Sequence, residues 1–108
     1  MNEFFDPESG SIHCPSCGNE YTHHRDTTVY TRPEGEDTKT VTTRVNSMAG
    51  ASIELGGDQD NPSSRRGSVV LHFECESRCK FDLQFVQHKG MTFVYTVVVD
   101  APHKDAGR

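Results

Sequence analysis

The sequence predicts a mostly β protein built on an antiparallel sheet, and three observations carry the prediction. Residues 69–99 contain three successive runs in which side chains alternate along the chain, the period of a strand whose two faces differ. Two threonine-rich segments upstream have the β-branched composition that suits a pleated backbone. No stretch of the chain reads as a helix.

Residues 1–10 mix acids with Pro7 and Gly10 without periodicity, and residues 100–108 are equally patternless. Both are expected to be flexible tails around a single domain at 11–99. The ordered part opens on the turn His13-Cys14-Pro15-Ser16-Cys17-Gly18 and a polar stretch with Tyr21, His23 and His24. Thr27–Thr31 and Lys39–Val45 flank the turn formers Pro33-Glu34-Gly35-Glu36-Asp37 and read as a hairpin. Asn46–Gly67 is rich in Gly, Ser, Asn and Asp and reads as a long exposed loop, so 27–67 forms an insertion of hairpin plus loop. Val69, Leu71 and Phe73 mark the next strand, Phe81, Leu83 and Phe85 the one after, and Phe93, Tyr95, Val97 and Val99 the last. Gln87-His88-Lys89-Gly90 is a tight reversal between the last two. One face of this meander is expected to carry all ten of those apolar residues. The other keeps Val70, Val86, Val94 and Val98, a stripe for the threonine-rich hairpin or a second copy of the chain to cover, which makes a homodimer one expectation.

Composition narrows the function classes. Hydrophobic residues make up only 32% of the 108 positions and tryptophan is absent, so one thin core needs support from a metal, a disulfide or an oligomer. Residues 1–62 carry four Lys/Arg against eleven Asp/Glu, and residues 63–108 carry seven against five. That acidic excess argues against binding to a phosphate backbone unless Arg65, Arg66, Arg78, Lys80 and Lys89 gather on one face. No signal peptide or membrane-length apolar run is present, so the expected location is the cytoplasm, where paired cysteines serve metal or redox chemistry.

The four cysteines are the strongest feature. Cys14 and Cys17 form CPSCG, a C-x2-C turn in which two sulfurs converge on one tetrahedral ion; Pro15 fixes φ inside it and Gly18 suits the left-handed exit. Cys75 and Cys79 are a C-x3-C pair, one residue longer than the usual second turn, placed at the reversal between two predicted strands. The 57 residues between the pairs exceed the ordinary spacing of about 15 to 20, yet loop-closure entropy grows only logarithmically with length. The four thiolates are therefore expected to hold one structural Zn2+, with His13, His23 and His24 as reserve ligands in case a histidine replaces Cys79.

On these residues the sequence resembles the zinc-ribbon proteins, whose two cysteine turns sit at the tips of β-hairpins. The resemblance covers the turns and the adjoining strands, not residues 27–67. Together with NPSSRR and QHKG it extends to small proteins of actinobacteria and their phages, for which it implies no activity.

Four cysteines close the coordination shell of a zinc ion and leave no open position for catalysis. No triad, phosphate loop or paired carboxylate is evident, so the chain is expected not to be an enzyme. The expectation is a structural-zinc β module in protein–protein interaction, through a strand edge or the 56–67 loop. The alternatives are a nucleic-acid-binding ribbon with a regulatory role and an iron or dithiol redox protein. Arg78 and Lys80, flanking Cys79, have a second reading as local neutralisers of a four-thiolate cluster.

Overall fold

Every connection between hydrogen-bonded strands in this chain is antiparallel, and all six strands belong to one open sheet in a computed structural model that describes residues 4–32, 39–46, 48–56, 58–63 and 66–101. The strands are β1 (Thr22–Thr31), β2 (Val41–Asn46), β3 (Gly50–Leu55), β4 (Ser68–Cys75), β5 (Lys80–His88) and β6 (Met91–Asp100), in the order β3-β2-β1-β4-β5-β6. The mostly β expectation holds. The one helical element among the described residues is a 3-10 turn at Asp58–Asp60, and no helix there is long and apolar enough to cross a membrane.

The sheet is two three-stranded meanders joined along the β1–β4 ladder. The threonine-rich hairpin is present as β1–β2, with Val29 opposite Thr43; its expected turn at Pro33–Asp37 lies outside the described residues. β1 starts five residues earlier than expected, at Thr22, because the polar stretch Thr22–Asp26 pairs with the cysteine-bearing end of β4, with a bulge between His24 and Asp26. Polar composition concealed this segment: cross-strand pairing supplies its backbone partners, so it needs no apolar face.

The expected long loop at 46–67 is also corrected. Its first part is β3, which pairs with β2 over six residues, and Ala51, Ile53 and Leu55 alternate with Ser52 and Glu54 as a strand does. The rest folds back onto the sheet: Ser63 is buried and its hydroxyl donates to Gln87 O at 2.8 Å, while Ser68 Oγ donates to Asn61 Oδ1 and Thr42 Oγ1 to Gly56 O. Gly67 lies so close to β1 that a Cβ there would stand 2.6 Å from Tyr30 O, so this position accepts only glycine without displacement.

Residues directly opposite in an antiparallel pair share a face, and the register sorts the side chains. Val69, Leu71 and Phe73 of β4 stand opposite Phe85, Leu83 and Phe81 of β5, as expected. In β6, however, Val94, Thr96 and Val98 join that face, and Phe93, Tyr95 and Val97 lie on the other. The two-residue turn Lys89-Gly90 pairs His88 with Met91, so odd-numbered residues of β5 face even-numbered residues of β6 as far as Phe81 and Val98. The expected ten-residue apolar face is thereby replaced by two smaller cores on opposite faces and at opposite ends. One holds Cys14, Cys75, Cys79 and Phe81 with Ile12, Phe73 and Ala101 packed against them. The other holds Tyr30, Val70 and Val86 with the buried hydroxyls of Thr28, Thr42 and Ser68, beneath the folded-back segment.

The segment expected as an N-terminal tail takes part from Phe4 onward. Phe5 bridges Ile12, His13 N donates to Phe4 O at 2.6 Å and Asp6 N to Ser11 O at 2.9 Å, which draws Ile12 onto the cysteine core.

Candidate metal centre

The two cysteine turns are made by different backbone devices. In the first, Gly18 N donates to Cys14 O and Cys14 N to Asn19 O, both at 2.9 Å, and Gly18 exits with φ of 80°. In the second, Cys75 and Cys79 close a three-residue hairpin loop: Arg78 N donates to Cys75 O and Cys75 N to Cys79 O, both at 2.9 Å. Arg78 takes the left-handed conformation, with φ of 73°, that the last residue of such a loop requires. This explains the additional residue of the C-x3-C spacing, because the loop brings Cys75 and Cys79 side by side.

The turns are then tied to each other. Asn19 Nδ2 donates to Ser77 Oγ at 2.9 Å, Glu76 N donates to Tyr21 O at 3.1 Å, and Thr22 stands opposite Cys75 in the β1–β4 ladder. All four Sγ atoms consequently lie within 4.8 Å of one another, with Cys17 and Cys75 at 3.6 Å. A tetrahedral ion with metal–sulfur bonds of about 2.3 Å sets its sulfurs about 3.8 Å apart, so the cluster has the dimensions of such a site. The thiols are free, and 3.6 Å is far beyond a sulfur–sulfur bond of about 2.05 Å. Among the described residues these four cysteines form the cluster able to hold a metal ion.

Burial shapes the electrostatics. Cys14, Cys75 and Cys79 are buried and Cys17 is exposed. Desolvation raises the Cys14 thiol above its ordinary value and pushes Cys79 up to about 12, with the Cys17 side chain adding to it. Desolvation acts on Cys17 too, but hydrogen bonds from the Asn19 N–H and the Cys75, Cys14 and Cys79 thiols outweigh it and bring Cys17 below the ordinary thiol range. A cation bound here would displace the protons of the raised Cys14 and Cys79 thiols, since the thiolate is the ligand.

The reserve histidines take no part. His13 Nε2 meets Ser11 Oγ at 3.1 Å, His23 Nε2 meets Glu76 Oε2 at 3.0 Å, and His24 packs edge-on against Phe73. His23 and His24 face opposite sides of the sheet, opposite Glu74 and Phe73 respectively.

The basic residues do not gather. Arg78 and Lys80 lie at the cysteine end, whereas Lys89 sits in the β5–β6 turn and Arg66 beside Ser63 at the other end. Lys80 opens the nine-residue β5 and Lys89 follows its end, a span of about 30 Å. Arg65 lies outside the described residues. Lys80 also stands opposite Glu74, on the face away from the cysteine core, so of the two expected neutralisers only Arg78 belongs to the loop that carries the ligands.

One polar arrangement escaped the sequence reading. Asp82 Oδ1 meets His72 Nδ1 at 2.8 Å, and His72 Nε2 meets Thr28 Oγ1 at 3.1 Å, a chain across β5, β4 and β1 in the floor of a cleft of about 670 Å³. Its members were invisible in the sequence because strand order brings Thr28 beside a residue 44 positions away.

No protein-family model matches the chain, and neither curated proteins nor solved structures give a match. The comparisons give no support to the expected resemblance to small actinobacterial and phage proteins.

Proposed function

We propose that this chain is a non-catalytic β module, held together by one structural zinc ion on Cys14, Cys17, Cys75 and Cys79, that acts by binding another protein. The convergence of four sulfurs from two separate turns within 4.8 Å is the observation that carries it. Four thiolates suit zinc as a borderline-soft ion with no geometric demand of its own, and they leave no position for water or substrate. A reducing compartment such as the cytoplasm suits four thiols kept as ligands. The interaction half of the reading is supported by large apolar side chains exposed on both edge strands, Ile53 and Leu55 on β3 and Val97 and Val99 on β6. Dispersal of the basic residues and a net charge of −5 speak for a protein partner over nucleic acid.

Elemental analysis of untagged protein purified under reducing conditions tests the centre. The expected result is one zinc per chain and a melt that falls steeply on chelation. Iron in its place, with the colour of an iron–thiolate chromophore, would turn the reading to electron transfer. A metal-free sample that melts at the same temperature with and without chelator would end it.

A further inference from the structure

The open sheet has two edges of different construction. β3 is six residues long, begins at Gly50 and carries Glu54, which pairs with Arg44 of β2. β6 is ten residues long, and from Met91 to Val99 it has no charge, no proline and no glycine. Soluble proteins ordinarily guard an edge with just those residues, because an unpaired row of N–H and C=O groups recruits another strand. Val94 and Val98 on one face of β6, and Tyr95 and Val97 on the other, are each between 42% and 50% exposed.

The turn fixes which backbone groups are open. Lys89 and Gly90 both have positive φ, 53° and 78°, and form a two-residue turn that closes on the pair His88–Met91. Antiparallel pairs alternate between those that exchange hydrogen bonds and those that do not. Met91, Phe93, Tyr95 and Val97 thus direct their backbone groups at β5, and Thr92, Val94, Thr96 and Val98 direct theirs outward.

We infer that this edge is a homodimer interface in which β6 pairs antiparallel with β6 of a second copy, about a two-fold axis at Tyr95. One register engages all four outward-facing residues of both copies: Thr92 opposite Val98 and Val94 opposite Thr96. Tyr95 then meets its own symmetry mate, and Phe93, already stacked on Tyr95 with ring centroids 6.3 Å apart, stands opposite Val97 of the second copy. The charges choose the occupant. β6 is uncharged from Met91 to Val99, is preceded by Lys89 and ends at Asp100. In the two-fold register Asp100 falls opposite Gly90 of the second copy, next to its Lys89, so opposite charges lie near one another at both ends of the interface. The product is a continuous sheet with β6 at its centre and the shorter β3 at each rim. This inference rests on the protein-interaction reading and names its surface and partner, while remaining independent of which metal is bound.

Sedimentation velocity on the full metal-loaded chain tests it, with metal content and melting temperature measured on the same samples. The expected species has a mass of about 24 kDa, twice the 12.1 kDa of the chain. Thr96→Pro removes an outward N–H that no described strand pairs, and Val94→Lys places a charge beside its mate's Thr96. Each is expected to return the protein to the monomer, or to weaken association at least about tenfold, with the metal content unchanged. Tyr95→Cys is expected to give a covalent dimer on mild oxidation, because directly opposed residues of this kind have Cα atoms about 4.5 Å apart. Phe93→Cys and the native chain are expected to give none. A chain that sediments as a monomer at every concentration while keeping its metal overturns the inference and leaves the zinc reading standing. A dimer that survives both Thr96→Pro and Val94→Lys, or that cross-links equally through Phe93→Cys, overturns it as well.

Discussion

The two ends of this sheet solve the same problem by different means. At one end Phe81, fully buried and stacked on Phe73 with ring centroids 5.1 Å apart, packs with three buried cysteines into a core that includes a candidate metal centre. At the other end, on the opposite face, Tyr30, Val70 and Val86 lie under a folded-back segment fastened by hydroxyl groups. The first core is anchored by groups distant in sequence and able to share an ion. The second relies on ordinary burial and on hydrogen bonds worth about 1 kcal/mol each. A single open sheet can bury apolar surface in this way, a little on each side.

Removing the ion should break the comparison most severely. Structural zinc in small domains supplies about 10 to 16 kcal/mol of apparent binding free energy, more than the stability of many domains. Cys79→Ser or chelation is therefore expected to unfold the entire sheet, including the end without cysteines, since β4 and β5 run through both. Amide hydrogen exchange checks this: protection that persists around Tyr30 and Val70 after chelation would show that the second core stands alone.

Core truncations come next. Phe81→Ala should cost about 4 kcal/mol and Val70→Ala about 2, measured by urea unfolding of the metal-loaded protein. Equal losses would remove the distinction between the ends. Gly67→Ala, whose new methyl meets the Tyr30 carbonyl, is expected to cost about 1 to 3 kcal/mol by the same measurement without changing the metal content.

The smallest test lies in two buried threonines. Thr42 Oγ1 donates to Gly56 O at 2.6 Å, whereas Thr40 Oγ1 has no hydrogen-bond partner among the described residues. Thr42→Val should destabilise by about 1 kcal/mol and Thr40→Val should be neutral or stabilising. A reversed order would show that the hydroxyl contacts do not fasten this end.

Much of this was legible in the chain, for physical reasons that differ by element. Alternation in 69–75 and 81–85 disclosed β4 and β5 because one face of these strands carries Leu71, Phe73, Phe81 and Leu83 and the other carries His72, Glu74, Asp82 and Gln84. The cysteine turns were legible because metal ligation constrains spacing more tightly than fold does. β3 was not, because Gly50, Ser52 and the turn formers that follow Leu55 resembled a loop and hid the short alternation of Ala51, Ile53 and Leu55. The facing of β6 could have been read from the two-residue turn, whose length sets parity, but its near-continuous valines mask the period. The Thr28–His72–Asp82 chain depends on strand order, which one sequence does not display.

The single ladder between β1 and β4 carries a kinetic consequence. Each meander is local in sequence, but their union pairs Thr22 with Cys75 and Tyr30 with Ser68, so loop closure precedes any reward from those contacts. On the ribosome the first cysteine turn emerges long before Cys79 exists to complete its set. Until then the growing chain carries an unpaired β1 edge and two unmatched thiols, and the synthesis of β4 and β5 decides whether they close on their own partners or on a neighbour.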